Sequence, residues 1–134
     1  MKIVIDTNVI ASAVFFGGKP RQLLELLFQR KVDAYASPEI LLEYQETFDY
    51  LIEKYPGKHV TVPMAQIARA CIVIEPVTDI HVSRDPDDDK FISCAVDGKC
   101  MYIVSGDKDL LSVGQYEDIE IVSVADFFKK YRNR

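Results

Sequence analysis

The chain is predicted to be an α/β protein whose parallel sheet is covered by helices on both faces. Short β-branched runs such as KIVI and CIVI alternate along it with stretches of helical period. About five such runs occur, and this β-α-β alternation is the pattern of a parallel sheet. With 134 residues, 49% of them hydrophobic, the chain can bury a sizeable core as one domain.

Lys2–Ile5 (KIVI) reads as a buried strand. Residues 20–29, rich in Leu at helical spacing, predict a helix, and residues 34–36 a brief strand. Ser37-Pro38 opens the next helix, with Ser as N-cap and Pro at the first helical position. That helix runs to about Tyr55, where Pro56-Gly57 stops it. Residues 63–70 form a further helix, and residues 71–74 (CIVI) a strand closed by Pro76. A polar loop leads to Asp87. Residues 88–96 are helical, 101–104 a strand, 108–111 a short helix and 120–122 the last strand. Ser123 with Asp126 three residues on resembles a capping box for a final helix through Tyr131. No repeat, low-complexity tract or linker interrupts the sequence, so residues 1–134 are expected to form one domain. The positive tail, residues 129–134, reads as a solvated helix end complementing its own dipole.

Composition excludes several classes. The formal net charge of −5 argues against a broad basic face for duplex DNA. It does not exclude nucleic acid, because acids gathered at one metal site would leave the remaining surface close to neutral. No apolar run approaches the ~18 residues of a membrane span. The opening MKIVIDTNV turns polar too early for a signal peptide, and a cytoplasmic protein is expected. Cys71, Cys94 and Cys100 lack CxxC spacing and read as buried free thiols. His59 and His81 are far apart, which leaves a Cys/His zinc site with little support, and neither is near a nucleophile motif.

In open α/β sheets, ligands bind beyond the carboxyl ends of the strands, where strand order reverses. The first strand is followed by Asp6-Thr7-Asn8 and the fourth by Ser105-Gly106-Asp107. One acid after a strand is as readily an N-cap. The helix from Pro38 carries Ile40, Leu41, Tyr44, Phe48, Leu51, Ile52 and Tyr55 on one stripe. Glu43 and Asp49 flank that stripe equally. Glu43 lies ~7 Å from the helix start and Asp49 ~16 Å, so Glu43 is the acid at the active edge. Glu39 points away from the stripe. In RDPDDDKF, Asp88 falls near the centre of the stripe set by Phe91, Ile92 and Ala95, and Asp89 falls a quarter turn off, toward the surface. Asp6, Glu43, Asp88 and Asp107 would then converge with no basic partner. Such charges cannot all stay ionised unless a cation joins them. All-oxygen ligands suit Mg²⁺ or Mn²⁺. Two such ions would bridge a phosphate, generate a hydroxide nucleophile and stabilise the leaving oxygen.

The set IDTNV, SPEILLEY, DPDDDKF and IVSGDKDLL resembles the PIN-domain family, and within it the VapC-like toxin components of toxin–antitoxin modules. The resemblance runs from Met1 to about Tyr131. It implies a PIN-like three-layer α/β/α fold with a five-stranded parallel sheet of order 3-2-1-4-5. It also implies a Mg²⁺- or Mn²⁺-dependent endoribonuclease, with Asp6, Glu43, Asp88 and Asp107 as the catalytic, metal-holding acids. Asn8 and Ser105 fall on the small polar supporting positions, with Thr7 beside them. Ser105 stands where the family often has Thr, and the hydroxyl is kept. Asp87 and Asp89 blur which acid of the run binds metal, and Asp109 is a candidate outer ligand. A homodimer is implied, together with a small antitoxin that blocks the pocket with an inserted Arg or Lys.

A phosphoryl-receiver domain would need an acid pair after the first strand and an acceptor Asp after a central one. Here a single acid follows the first strand, and Ile74-Glu75-Pro76 offers no acceptor. A nucleotide-cofactor fold would need GxGxxG or GxxxxGK[ST], and neither is present. The alternative that remains is a catalytically silent PIN-fold module that binds RNA or protein, which metal titration separates from an enzyme. RNA is mostly recognised as unstacked single strands. There is no Trp, so Phe15, Phe16 and Tyr116 are the candidates for stacking on bases, with core packing the expected use of the two phenylalanines.

Overall fold

A computed structural model describes residues 1–58, 60 and 62–133; His59 lies outside the described residues. The element order is β1 (Lys2–Ile5), α1 (Thr7–Phe15), α2 (Gly18–Phe28), β2 (Asp33–Ala36), α3 (Pro38–Lys54), α4 (Met64–Ala70), β3 (Ile72–Val73), a 3₁₀ turn (Pro86–Asp88), α5 (Asp89–Asp97), β4 (Tyr102–Val104), α6 (Lys108–Val113), β5 (Gln115–Tyr116), β6 (Ile119–Val122) and α7 (Val124–Arg132).

β1 is the centre of the sheet because its apolar run is continuous, as a strand covered on both faces requires. Ile3, Val4 and Ile5 are fully buried, and each contributes about 1.5–3 kcal/mol by leaving water. β1 pairs in parallel with β2, Ile3 opposite Ala34, and with β4, Ile3 opposite Tyr102. β3 lies outside β2 and β6 outside β4, both parallel. These five strands run in the expected order, with β6 as the fifth. The sheet has one strand more than expected: β5 pairs antiparallel with β6 and gives the full order β3-β2-β1-β4-β6-β5. Two residues carry no period. The turn that joins them to β6 contains Glu117 at φ 51, where Gly or Asn would have signalled a reversal.

Helices flank the sheet. α5 packs on β1, β2 and β4, while α1 packs on α2 and α3. α1 is the largest element that the sequence pattern does not predict. Its segment TNVIASAVF is buried at seven positions, so it has no polar stripe and no amphipathic period to read. α3 begins as expected, with Ser37 Oγ accepting from the Ile40 N–H at 3.1 Å. Ile40, Tyr44 and Phe48 are buried, and the Tyr44 hydroxyl donates to the Ile5 carbonyl. The expected stripe ends early, since Ile52 and Tyr55 are exposed. α5 ends at Gly98 because the chain there passes close to β2. A Cβ would sit 2.8 Å from the Tyr35 ring and 3.2 Å from Cys100 Sγ.

The three cysteines are free; Cys94 and Cys100 are buried and Cys71 half-buried. Burial pushes their thiols up to about 11 for Cys71 and about 12 for the other two, which leaves them unreactive. Lys130 pairs with Glu120 at 3.1 Å and Lys129 approaches Asp126, so part of the basic tail is used on the protein itself. Among the described residues, no helix is long and apolar enough to cross a membrane.

Candidate active site

The connection from β1 leads to β2 on one side, while β4, the other neighbour of β1, leads to β6 on the far side. The strand order therefore reverses between β1 and β4, the place where open α/β sheets offer a ligand crevice beyond the carboxyl ends of the strands. Asp6 and Ser105 are the next residues of those two strands. The sheet ladder continues into them, with the Asp6 N–H on the Val104 carbonyl and the Ser105 N–H on the Val122 carbonyl, both at 2.9 Å.

Asp6 stands at the N-cap position of α1 yet makes no side-chain capping bond. Its carboxylate is 4% exposed with its residue and is turned instead toward Ser105, whose hydroxyl donates to Oδ2 at 2.8 Å. The same hydroxyl accepts from the Asp107 N–H at 2.9 Å. Ser105 thus ties the acid after β1 to the acid after β4. Asp107 does cap α6, its Oδ1 accepting from the Asp109 N–H at 3.1 Å, so the N-cap reading holds for it alongside its place in the crevice. Burial pushes Asp6 up to about 6. The Ser105 hydroxyl pulls the other way, and the charges of Asp107 and Glu43 add to the rise.

The helical side supplies Asp88, Asp109 and Glu43. Oxygens of Asp88, Asp107 and Asp109 lie within 4.8 Å of one another. Burial, then the adjacent Asp107 carboxylate, push Asp88 up to about 7. Asp88 Oδ2 is buried with no hydrogen-bond partner among the described residues, a loss of about 1–3 kcal/mol or more for an acceptor of this kind. A cation would satisfy it. An orphaned carboxylate oxygen inside an all-oxygen set is what a hard divalent ion fits. Asp109 is half-exposed, with Arg84 3.9 Å away.

Glu43 reaches the same edge but is not free. Oε2 accepts from the buried Thr7 hydroxyl, and Oε1 faces Lys90 Nζ at 2.7 Å. The expectation of four carboxylates without a basic partner is therefore corrected: Lys90 is that partner. A lysine two positions after Asp88 on a helix points well away from it, so periodicity does not bring it to the site. The available signal is that Lys90 closes an acid run that Arg84 opens. Asp49 is exposed and paired with Gln45 on α3, away from the crevice. Asn8 is exposed and Ser105 fully buried; the hydroxyls of Ser105 and Thr7 each donate to an acid, Asp6 and Glu43. Asp89 is a second correction. It is buried rather than at the surface, and its Oδ1 accepts the Val82 and Ser83 N–H groups at 3.2 and 2.8 Å. Its role is to hold the preceding loop. Phe15 is buried as expected, whereas Phe16 is 58% exposed.

Residues 2–109 match the PIN domain family. The chain is a PIN domain. It is also 38% identical, over 117 residues, to an uncharacterized protein, MJ1680, of Methanocaldococcus jannaschii; the match spans 84% of this chain and 75% of that one. PIN domains are generally metal-dependent nucleases, and the acid cluster of this PIN domain is compatible with a divalent ion. The family also suggests nucleic acid as the partner.

Proposed function

We propose that this PIN domain is an endoribonuclease that hydrolyses RNA phosphodiester bonds with Mg²⁺ or Mn²⁺, and that it is the toxin of a type II toxin–antitoxin pair, working as a cytoplasmic homodimer. The observation that carries the reading is the unpartnered, buried oxygen of Asp88 beside Asp107 and Asp109, at the strand-order reversal of a PIN fold. Asp6, Asp88 and Asp107 are the residues proposed to hold the cation, with Asp109 next to them. Glu43 completes the acidic rim. The bound ion would supply Lewis acidity to a phosphate and a lowered pKa to water. The chain's own part is positioning. Ser105 fixes Asp6 and the Asp107 backbone with one hydroxyl. Thr7 and Lys90 fix Glu43. RNA as the substrate, the toxin role and the dimer rest on the family resemblance.

A pocket of carboxylates is also a receptor for an inserted guanidinium or ammonium. Accommodation of Lys90 against Glu43 supports this. A cognate antitoxin would place a basic residue beside Asp6 and Asp107, and its affinity would weaken as Mg²⁺ rises at fixed ionic strength. An affinity indifferent to Mg²⁺ would place the inhibitory contact elsewhere.

The test of the activity is direct. Purified protein is incubated with structured and unstructured RNAs in Mg²⁺, Mn²⁺ or EDTA. Cleavage is expected with either metal and not with EDTA. Equal cleavage in EDTA overturns the metal mechanism. Binding of RNA and metal without cleavage identifies a silent module.

A further inference from the structure

Both oxygens of Glu43 are occupied by the protein itself. Lys90 Nζ lies 2.7 Å from Oε1, with the lysine side chain 10% exposed and that of Glu43 32%. The Thr7 hydroxyl holds Oε2. Lys90 makes a second bond, to the Asp87 carbonyl at 2.8 Å. An ammonium this deeply buried is stable only when paired, and removing either partner strands the other. An ammonium carries three protons; among the described residues two are engaged and one is left. The oxygens that do gather closely belong to Asp88, Asp107 and Asp109.

We infer that Lys90 is a built-in cation of the site: it holds Glu43 out of the metal's ligand set, takes the place of a second divalent ion, and leaves one N–H for a phosphate oxygen of the substrate. The centre then holds one divalent ion. Lys90 acts as a positioning residue on Glu43. Only its contact with phosphate depends on the nuclease reading proposed above.

The probe is Mn²⁺ alone, without RNA, its stoichiometry read by calorimetry and by electron paramagnetic resonance of the free ion. Wild-type protein is expected to bind one Mn²⁺ per chain. Lys90→Met keeps the apolar stem and removes the charge; it frees Glu43 and is expected to bind two. Glu43→Gln is expected to bind one, with affinity within about threefold of wild type, because Glu43 is not a ligand. Two ions in wild type, one ion in a folded Lys90→Met, or a tenfold loss of affinity in Glu43→Gln would each overturn the inference. Should Lys90→Met fail to fold by circular dichroism, wild type and Glu43→Gln decide it. Absence of any bound Mn²⁺ in wild type overturns the proposed function together with the inference. One bound ion without RNA cleavage overturns the nuclease reading alone.

Discussion

Two halves of the site are held by different physics. At the ends of β1 and β4, Asp6 and Asp107 are placed by backbone: their residues continue the sheet or cap a helix, and Ser105 joins them through one buried hydroxyl. On α3 and on the 3₁₀ turn before α5, Glu43 and Asp88 lie outside the sheet ladder. Glu43 depends on Thr7 and a lysine, and Asp88 leaves one oxygen unsatisfied. A group fixed by the ladder moves only if the sheet moves. A group fixed by an ion pair responds to any other cation that arrives. The strand half is accordingly a rigid seat and the helix half the part that adjusts to a ligand.

Asp6→Asn should produce the largest effect, roughly a hundredfold or greater loss of RNA cleavage, as for the removal of one preorganised electrostatic group. Metal-free melting temperature should stay level or rise, because a buried charge among other carboxylates is removed. A clear fall in that temperature would show that the strand half of the site needs the Asp6 charge for folding.

Adjacent in sequence, Asp88 and Asp89 have separate roles, one toward the cation and one toward the loop. Asp88→Asn is expected to weaken Mn²⁺ binding at least tenfold with little change in stability. Asp89→Ala strands two N–H groups and should lower stability by about 1–3 kcal/mol while metal affinity persists. Calorimetric titration and urea unfolding on both variants separate the two roles; equal losses of metal affinity would merge them.

Ser105→Ala is a smaller change, about 1 kcal/mol in stability and a several-fold loss of cleavage, since one hydroxyl leaves but the acids remain. A loss as great as that of Asp6→Asn would make the serine more than a tie.

The smallest effect is in pH. Asp6 at about 6 and Asp88 at about 7 both hold protons more tightly when folded than at their ordinary 3.8. Their contribution to stability is complete below pH 3.8 and is lost as pH rises through 6 and 7. The melting-temperature gain from Mg²⁺ should therefore be larger at pH 8 than at pH 5. A gain independent of pH would mean that the ion binds away from these two acids.

The features legible in the sequence are those with a period or a strand end. The KIVI run, the first three turns of the α3 stripe and the facing of Asp88 followed from spacing, and the five parallel strands stand in the order that the family resemblance implied. α1 was illegible because a helix buried nearly all round has no apolar face to detect. β5 was illegible because two residues form no pattern. Lys90 was missed and Asp89 misjudged for one reason: helical phase says which way a side chain leaves the axis, not what the neighbouring loop or helix presents to it. Glu43 and the backbone of residues 82–83 are contributed by segments far from α5 in phase, and only the packed fold brings them there.

The loop before α5 is fastened at both ends of that helix. Asp97 accepts the Val77 and Thr78 N–H groups at 2.6 and 3.0 Å, and Asp89 holds Val82 and Ser83. The Val82 and Ser83 amide protons, bonded to the buried Asp89, should then exchange more slowly with solvent than those of Val77 and Thr78, whose bonds to Asp97 are exposed. Thr78, Ile80 and His81 line a cleft together with Asp87 and Lys90, so that wall would be finished early, and a ligand would meet a boundary that needs no ordering.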